Sequence, residues 1–289
     1  MRIGIDLGGT KIEAVGLYAN GDETKRIRVQ TPQGQYTETV TAIAQLVHEL
    51  ENRFEAANSI GICTPGSISP VTGLMQNCNS TCLNGQSLKT DLEQSLNRTI
   101  SMSNDADCLA LSEAIDGAAA HAKTVFGVIL GTGVGAGYAV NKALITGPNA
   151  LTGEWGHNPL PVPVSPDRNC YCGRVNCVET WLSGPGISQT YKNQTGKTAS
   201  AENIATMNSK EATETIDLFI EQLSASLGTI INAIDPEVIV FGGGLSNIER
   251  IYQELPKRIT SYIMPDICNT QFVPAKHGCS SGIRGAARL

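Results

Sequence analysis

Four residues with metal-seeking side chains stand within one irregular stretch of the sequence: His157, Cys170, Cys172 and Cys177. Cys170 and Cys172, two apart, project to the same side of an extended chain. Gly173 and Asn176 permit a tight reversal that brings Cys177 back, and His157 supplies a fourth corner. Three thiolates and one imidazole are the closed ligand set of a structural zinc, with no position left for water or substrate; three free thiols in a loop are the plainer alternative. Such a metal would fix Glu154, three residues before His157, relative to Glu179, two after Cys177. Carboxylates held in this way accept hydrogen bonds from sugar hydroxyls, and the outer ring nitrogen of His157 can join them.

A second chemistry is suggested by glycine turns. In Asp6-Leu7-Gly8-Gly9-Thr10-Lys11 a carboxylate precedes two residues without side chains, a hydroxyl and an ammonium. Bare backbone N–H groups there could approach a phosphate while Asp6 holds hydrated Mg²⁺; a simple hairpin turn explains the segment as well. Gly131-Thr132-Gly133 repeats the pattern in the second half, and two such hairpins facing each other could grip a polyphosphate from both sides. Gly131 to Ala136 also fits a dinucleotide fingerprint, but that motif needs a helix after it and Gly137 to Val140 reads as strand. Gly196-Lys197-Thr198 lacks the preceding glycine of a P-loop, Tyr191 standing in its place. Gly242-Gly243-Gly244 could let a base or ribose lie on bare backbone, or could serve tight strand-to-helix packing. Asp105, opening a helix after Ser103-Asn104, is either an N-cap or a general base for a substrate hydroxyl attacking phosphorus.

These groups need two lobes to carry them. The chain has 289 residues, about twice the usual size of one domain. Strands are expected at Ile3 to Ile5, Ala14 to Leu17 and near Lys25 to Val29, then a helix with its apolar stripe on Val40, Ile43, Val47, Leu50 and Phe54. Strand Ser59 to Cys63, helix Leu88 to Leu96, strand Thr99 to Met102 and helix Ala106 to Ala119 follow. Val125 to Leu130 and Ala136 to Val140 restart the hairpin pattern. A long helix through Ile216 to Ile234, a strand Val238 to Phe241, a helix capped by Ser246 and kinked at Pro256, and a short helix from Ser281 complete the reading. The boundaries expected are 1–118 for the first lobe, joined by 281–289, and 119–280 for the second, with the metal-binding insertion at 153–179.

Composition narrows the function further. Lys and Arg number 21 against 27 Asp and Glu, a net charge of −6 with no basic run, so nucleic acid is not an expected partner. The longest apolar stretches are strand-length, which gives no membrane span. Nine cysteines, mostly single and in apolar surroundings, together with a start that lacks a secretory signal, suit the cytoplasm. His48, His121 and His277 are isolated, and the sequons at Asn79, Asn97 and Asn193 would go unused there.

Asp6 to Lys11, Asn104-Asp105-Ala106, Gly153-Glu154-Trp155-Gly156-His157 and the CxCGxxxC loop resemble, in order and spacing, the ROK family of bacterial sugar kinases and repressors. Pro65 to Pro70, Asn79 to Gln86, Gly153 to Pro161 and Lys276-His277-Gly278 are most similar to its fructokinases, with N-acetylglucosamine kinases next. The resemblance implies an α/β, duplicated ribonuclease H-like (actin/hexokinase-type) fold with ATP and a hexose in the cleft between lobes. It implies Asp105 as catalytic base, with Gly66, Asn104, Glu154, His157 and Glu179 around the sugar. Asp6, Gly8, Gly9, Thr10, Lys11, Gly131, Thr132, Gly133 and Gly242, Gly243, Gly244 would serve Mg²⁺ and nucleotide; His157, Cys170, Cys172 and Cys177 would hold zinc. A homodimer is also implied. The family usually has Gly where Asn176 stands, and a Gly-rich approach where this chain has Cys63-Thr64. With the first strand at residue 2 or 3, the DNA-binding helices of the repressor branch are not expected. The expectation is therefore an ATP:hexose 6-phosphotransferase acting on fructose, or else on N-acetylglucosamine, glucose, mannose or allose; a zinc-stabilised sugar or nucleotide sensor without catalysis is the reading of another class.

Overall fold

The computed structural model describes residues 1–264 and 266–289. In the first half, β1 (Arg2–Leu7), β2 (Lys11–Leu17) and β3 (Ile27–Gln30) form an antiparallel meander. It is followed by α1 (Tyr36–Arg53), β4 (Ser59–Thr64), the small hairpin β5 (Ser67–Ile68) and β6 (Met75–Gln76), α2 (Leu88–Leu96), β7 (Ser101–Asn104) and α3 (Asp105–Ile115). The second half repeats the plan with β8 (Thr124–Leu130), β9 (Val134–Val140) and β10 (Ala143–Leu144). Then come α4 (Val178–Leu182), α5 (Gly184–Thr195), α6 (Ala201–Thr206), α7 (Lys210–Ile234), β11 (Val238–Gly242), α8 (Glu249–Arg258), β12 (Gln271–Pro274) and α9 (Ser281–Ala286).

The two five-stranded sheets have the same topology. Their orders are β3-β2-β1-β4-β7 and β10-β9-β8-β11-β12, with β1–β4–β7 and β8–β11–β12 parallel. Ile3, Ile5, Ile43, Val47, Leu50 and Leu88 are buried in one core, and Val128, Leu130, Ile216, Phe219, Ile220 and Phe241 in another. Paired glycines make each sheet flat where a helix must lie on it. Gly4 and Gly61 are register partners, and a Cβ on either would come within 2.1 Å of the Ile283 carbonyl oxygen or 1.8 Å of the Ala286 carbonyl oxygen, so α9 rests on bare backbone there. Gly127 and Gly137, partners in the second sheet, seat α3 in the same way, with Ala110 Cα 2.8 Å and the Ala106 carbonyl oxygen 2.6 Å from where their Cβ atoms would be. Gly285 lets the two helices touch, its missing Cβ lying 1.8 Å from the Cys108 carbonyl oxygen.

Several boundaries differ from the sequence reading. The third strand begins at Ile27, and the strand expected at Thr99 to Met102 lies at Ser101–Asn104, so Asn104 ends it at the cleft. α3 stops at Ile115. Phe54 falls beyond α1 and is exposed. Ser246 caps nothing: it lies in a single 3-10 turn, Gly244–Asn247, and its hydroxyl donates to the Gly243 carbonyl, while Ile248 precedes α8. Pro256 is accommodated near the end of α8, which passes into another 3-10 turn at Ile259–Ser261.

Candidate active site

The loops that follow β4 and β7 of one sheet and β8 of the other line a cavity of about 900 Å³, together with the segment after β6 and the turn Glu154–His157. Binding sites form at such strand ends because the chain must turn there and its loops are free to vary. Asn104, with extended backbone, caps α3 by accepting the Asp107 N–H at 2.7 Å. Asp105 is thereby released from the capping role. Its carboxylate accepts the Ala106 N–H at 2.8 Å and opens on the cavity. Loss of solvent raises its pKa and the charge of Glu154 adds to the effect, against the pull of N–H groups at the helix start. A carboxylate tuned upward in this way suits a base operating near neutrality.

Glu154 and His157 reach the same cavity because of the glycines between which they stand. A Cβ on Gly153 would lie 1.8 Å from the Ala136 carbonyl oxygen, and one on Gly156 2.0 Å from that of Val134. Gly153 also has φ +87°. The turn Glu154–His157 is thus pressed flat on β9, with Trp155 buried edge-on against Phe126 and its neighbours turned outward. Burial, and then the charge of Glu179, raises the Glu154 pKa, while His157 opposes them.

Facing donor atoms of His157, Cys170, Cys172 and Cys177 converge, all lying within 4.8 Å of one another. Cys170 Sγ is 3.5 Å from His157 Nδ1 and Cys172 Sγ 3.6 Å from Cys177 Sγ. With Zn–S of about 2.3 Å and Zn–N of about 2.0 Å, tetrahedral geometry separates neighbouring ligands by roughly 3.5–3.8 Å, so these residues fit the ion. Gly173 and Asn176 make the reversal with φ of +86° and +56°, conformations open to Gly and Asn. Cys177 precedes α4, whose first turn holds Glu179. The Glu179 carboxylate accepts the Val134 N–H at 2.8 Å, which ties the cysteine loop to the β8–β9 turn.

The sequence pattern of the ROK family matches residues 2–289. The N-acetyl-D-glucosamine kinase of Pasteurella multocida is 36% identical over 300 residues, covering 100% of this chain and 99% of that protein. The chain belongs to the ROK family. Among solved structures, the ROK hexokinase from Thermus thermophilus superposes with a TM-score of 0.88 at 24% identity, covering 99% of this chain and 96% of that one. The ROK family glucokinase from Streptomyces griseus in complex with glucose and AMPPNP gives 0.82 at 23% identity, covering 100% and 98%. The duplicated actin/hexokinase-like fold expected of a ROK chain is therefore the fold present.

Of the expected site residues of this ROK protein, Gly66, Asn104, Asp105, Glu154, His157, Glu179, Thr132 and Gly133 line the one cavity together. Asp6, Gly8 to Lys11, Gly131 and Gly242 to Gly244 do not line it. The two glycine turns close alike, Gly8 N–H donating to the Lys11 carbonyl and Gly131 N–H to that of Gly133, both at 3.0 Å. Asp6, at the end of β1, has its pKa raised to about 6 by burial, then by the charges of Asp105 and Glu13. Lys11 Nζ lies 2.5 Å from Glu13, so its ammonium is paired rather than free. Gly243 combines φ +82° with a Cβ position 2.3 Å from the Leu130 carbonyl oxygen, which gives the packing explanation of that glycine a physical basis.

The sequence reading missed Asn77, Asn79, Thr81, Asn84 and Tyr171, all on the cavity wall. It also missed Asp107, whose pKa burial raises to about 6 although it accepts the Ser103 hydroxyl at 2.7 Å. Two histidine readings are corrected. His277 is not isolated, since its Nε2 lies 3.0 Å from Asp116. The outer nitrogen of His157 is not free, since it lies 2.9 Å from the Tyr171 hydroxyl.

Proposed function

We propose that this ROK protein is an ATP-dependent sugar kinase that transfers the γ-phosphoryl group of MgATP to the primary 6-hydroxyl of a hexose. The observation that carries the reading is Asp105. It is a carboxylate of raised pKa at a helix start, open to a cavity that Asn104, Glu154, Glu179 and the Thr132-Gly133 turn also line. In this reading residues 1–118 with 281–289 and residues 119–280 are the two lobes. Asp105 accepts the hydroxyl proton as the oxygen attacks phosphorus. Asn104, Glu154 and Glu179 hold the ring so that this hydroxyl faces Asp105, which supplies the proximity part of the rate, and His157, whose nitrogens face Cys170 and Tyr171, contributes the face of its ring. Among the described residues, the N–H groups of Gly9, Thr10, Thr132 and Gly133 donate to no protein acceptor and are available to phosphate oxygens. Asp6 would hold Mg²⁺, which neutralises charge on the transferred group. The four-ligand zinc would be structural, fixing Glu179 against the β8–β9 turn.

Which hexose is transferred to is a finer matter. The relative from Pasteurella multocida favours N-acetylglucosamine, and we place it ahead of fructose, which the segments Pro65 to Pro70 and Lys276 to Gly278 suggest. The test is coupled ADP release by the zinc-loaded protein with MgATP across N-acetylglucosamine, fructose, glucose, mannose and allose at matched concentrations. A preference for N-acetylglucosamine is the expected result; preference for fructose keeps the reaction and changes the substrate. No stimulation by any sugar, from folded protein that binds one, would replace the kinase with a sensor. The homodimer is checked by light scattering.

A further inference from the structure

Tyr171 stands between two of the cysteines of the metal loop, and its side chain is 75% exposed. It lines the sugar cavity, yet it also lines a neighbouring groove of about 510 Å³ that runs between the 166–171 segment and α5. The two spaces have Thr132, Tyr171 and Glu179 in common, and the groove touches none of Gly66, Asn104 or Asp105. It therefore opens from a part of the cavity wall that includes neither the proposed base nor Asn104 beside it. Of the three shared residues, Thr132 belongs to the β8–β9 turn and Glu179 is bonded to the Val134 N–H. Tyr171 is the large side chain of the three, its hydroxyl 2.9 Å from His157 Nε2 with the two rings edge-on at 5.1 Å.

That contact has a direction. His157 turns Nδ1 toward Cys170, so when a metal is held on that side the ring is the tautomer with its proton on Nε2. Nε2–H then donates to the phenol oxygen, and the phenol's own proton is left to donate into the cavity. In a pyranose the carbon across the ring from C5, which bears the primary hydroxymethyl group, is C2, with C1 beside it. A sugar that spans the cavity from Asp105 to Tyr171 with its 6-hydroxyl at the base would present its far edge, the C1 and C2 substituents included, toward Tyr171.

We propose that Tyr171 is a specificity-determining residue, a wall whose hydroxyl bonds the C1–C2 end of the sugar and whose ring excludes substituents there that are too large for the cavity. The inference rests on the sugar-kinase reading above. It is tested on the full-length, zinc-loaded protein with Tyr171→Phe and Tyr171→Gly, measuring KM for the preferred sugar, KM for ATP and bound zinc. N-propionyl- and N-butyrylglucosamine and the methyl glycoside of the preferred sugar serve as probes. Tyr171→Phe is expected to raise the sugar KM about fivefold, the worth of one hydrogen bond, with zinc content and the KM for ATP unmoved. Tyr171→Gly, which joins cavity to groove, is expected to phosphorylate the N-butyryl sugar or the glycoside that the parent rejects. Retention of the parental sugar KM in Tyr171→Phe, or a change confined to the KM for ATP, overturns the proposal. If Tyr171→Gly sheds its zinc, Tyr171→Phe decides. A parent protein that phosphorylates no sugar removes the kinase reading and this inference with it, whereas an active parent with unaltered variants removes the inference alone.

Discussion

At the scale of single residues, the site is governed by which side chain caps the helix. Asn104 takes the α3 N-terminus, so Asp105→Asn should change little in folding or sugar affinity. It should lower kcat by about 10²–10⁴, the usual worth of a general base. Calorimetry with the sugar, set beside coupled ADP release, separates the two effects; a variant of near-parental turnover would remove Asp105 from the role. The acids of the cleft also set a pH dependence. Asp6 has its pKa raised to about 6, so kcat should fall as pH drops through about 6 and Asp6 takes up its proton, and the upward shift of Asp105 acts in the same direction. Stability responds in the opposite sense. A carboxyl whose folded pKa lies above its unfolded value binds the proton more tightly when folded, so its contribution is fully present at low pH and is lost as pH rises toward about 6. Asp6→Asn should accordingly raise stability at pH 8 by on the order of 1 kcal/mol, a melting shift of about 2–4 °C, while abolishing activity. Equal melting curves at pH 8 would show that burial of Asp6 costs nothing. Asp107 illustrates what single residues do not disclose. Its neighbours Ser103 and Asp105 are visible in the sequence, but its burial comes from packing of distant elements.

At the scale of elements, the Gly-Glu-Trp-Gly-His turn and the cysteine loop act as rigid brackets. Gly153→Ala must place a Cβ against the Ala136 carbonyl oxygen at a positive φ. A cost of about 3 kcal/mol or more and loss of activity are expected, since the turn cannot lie on β9 and carry Glu154 to the cleft. Chemical denaturation and turnover read the two consequences. Cys172→Ser should release zinc, lower the melting temperature and weaken sugar binding, through Glu179 losing its fixed partner; a metal-free parent of full activity would contradict this. These brackets were legible because residue type alone announces them. The long amphipathic α7 and the apolar strands were legible for the same kind of reason, a sustained period. The stretch that forms α4, α5 and α6 was not, because these helices are short and their faces mixed. β7 was displaced in the reading because Ser101–Asn104 is only half-buried and carries little apolar signal. β12 is a short edge strand ending on Pro274, with no alternation to betray it.

At the scale of the whole molecule, α3 is seated on the second sheet and α9 on the first, and the chain makes one crossing where it leaves α3 and another where it enters α9. Both meet on one side chain. Glu113 is fully buried and its carboxylate accepts the N–H groups of Ala118, Lys276 and His277, at 2.7, 3.0 and 3.2 Å, and the Ser281 hydroxyl at 2.8 Å. Nearby, Asp116 pairs with Arg284, Arg288 and His277, and Arg284 reaches Glu23 on the first meander. Glu113→Ala leaves the buried Ser281 hydroxyl and three part-buried N–H groups without their acceptor, at about 1–3 kcal/mol for a fully buried group and less for the others. A total loss exceeding about 3 kcal/mol in urea unfolding is expected, with Glu113→Gln intermediate; a neutral alanine variant would mean that the crossings are held by packing alone. The duplicated glycine hairpins made the two-part plan visible in the sequence. The pin between the parts was not visible, because Glu113 and residues 276–281 are separated by most of the second half. The seat of α9 on Gly4 and Gly61 has a consequence for the order of synthesis. The first sheet is complete in sequence once Asn104 has left the ribosome, but the helix that covers one of its faces is made only after the whole second half. At about 5–20 residues per second, that face waits roughly 10–40 s for its cover. For that interval the nascent chain presents a flat, glycine-paved sheet to other proteins, so its yield in cells should depend on chaperones that bind such surfaces.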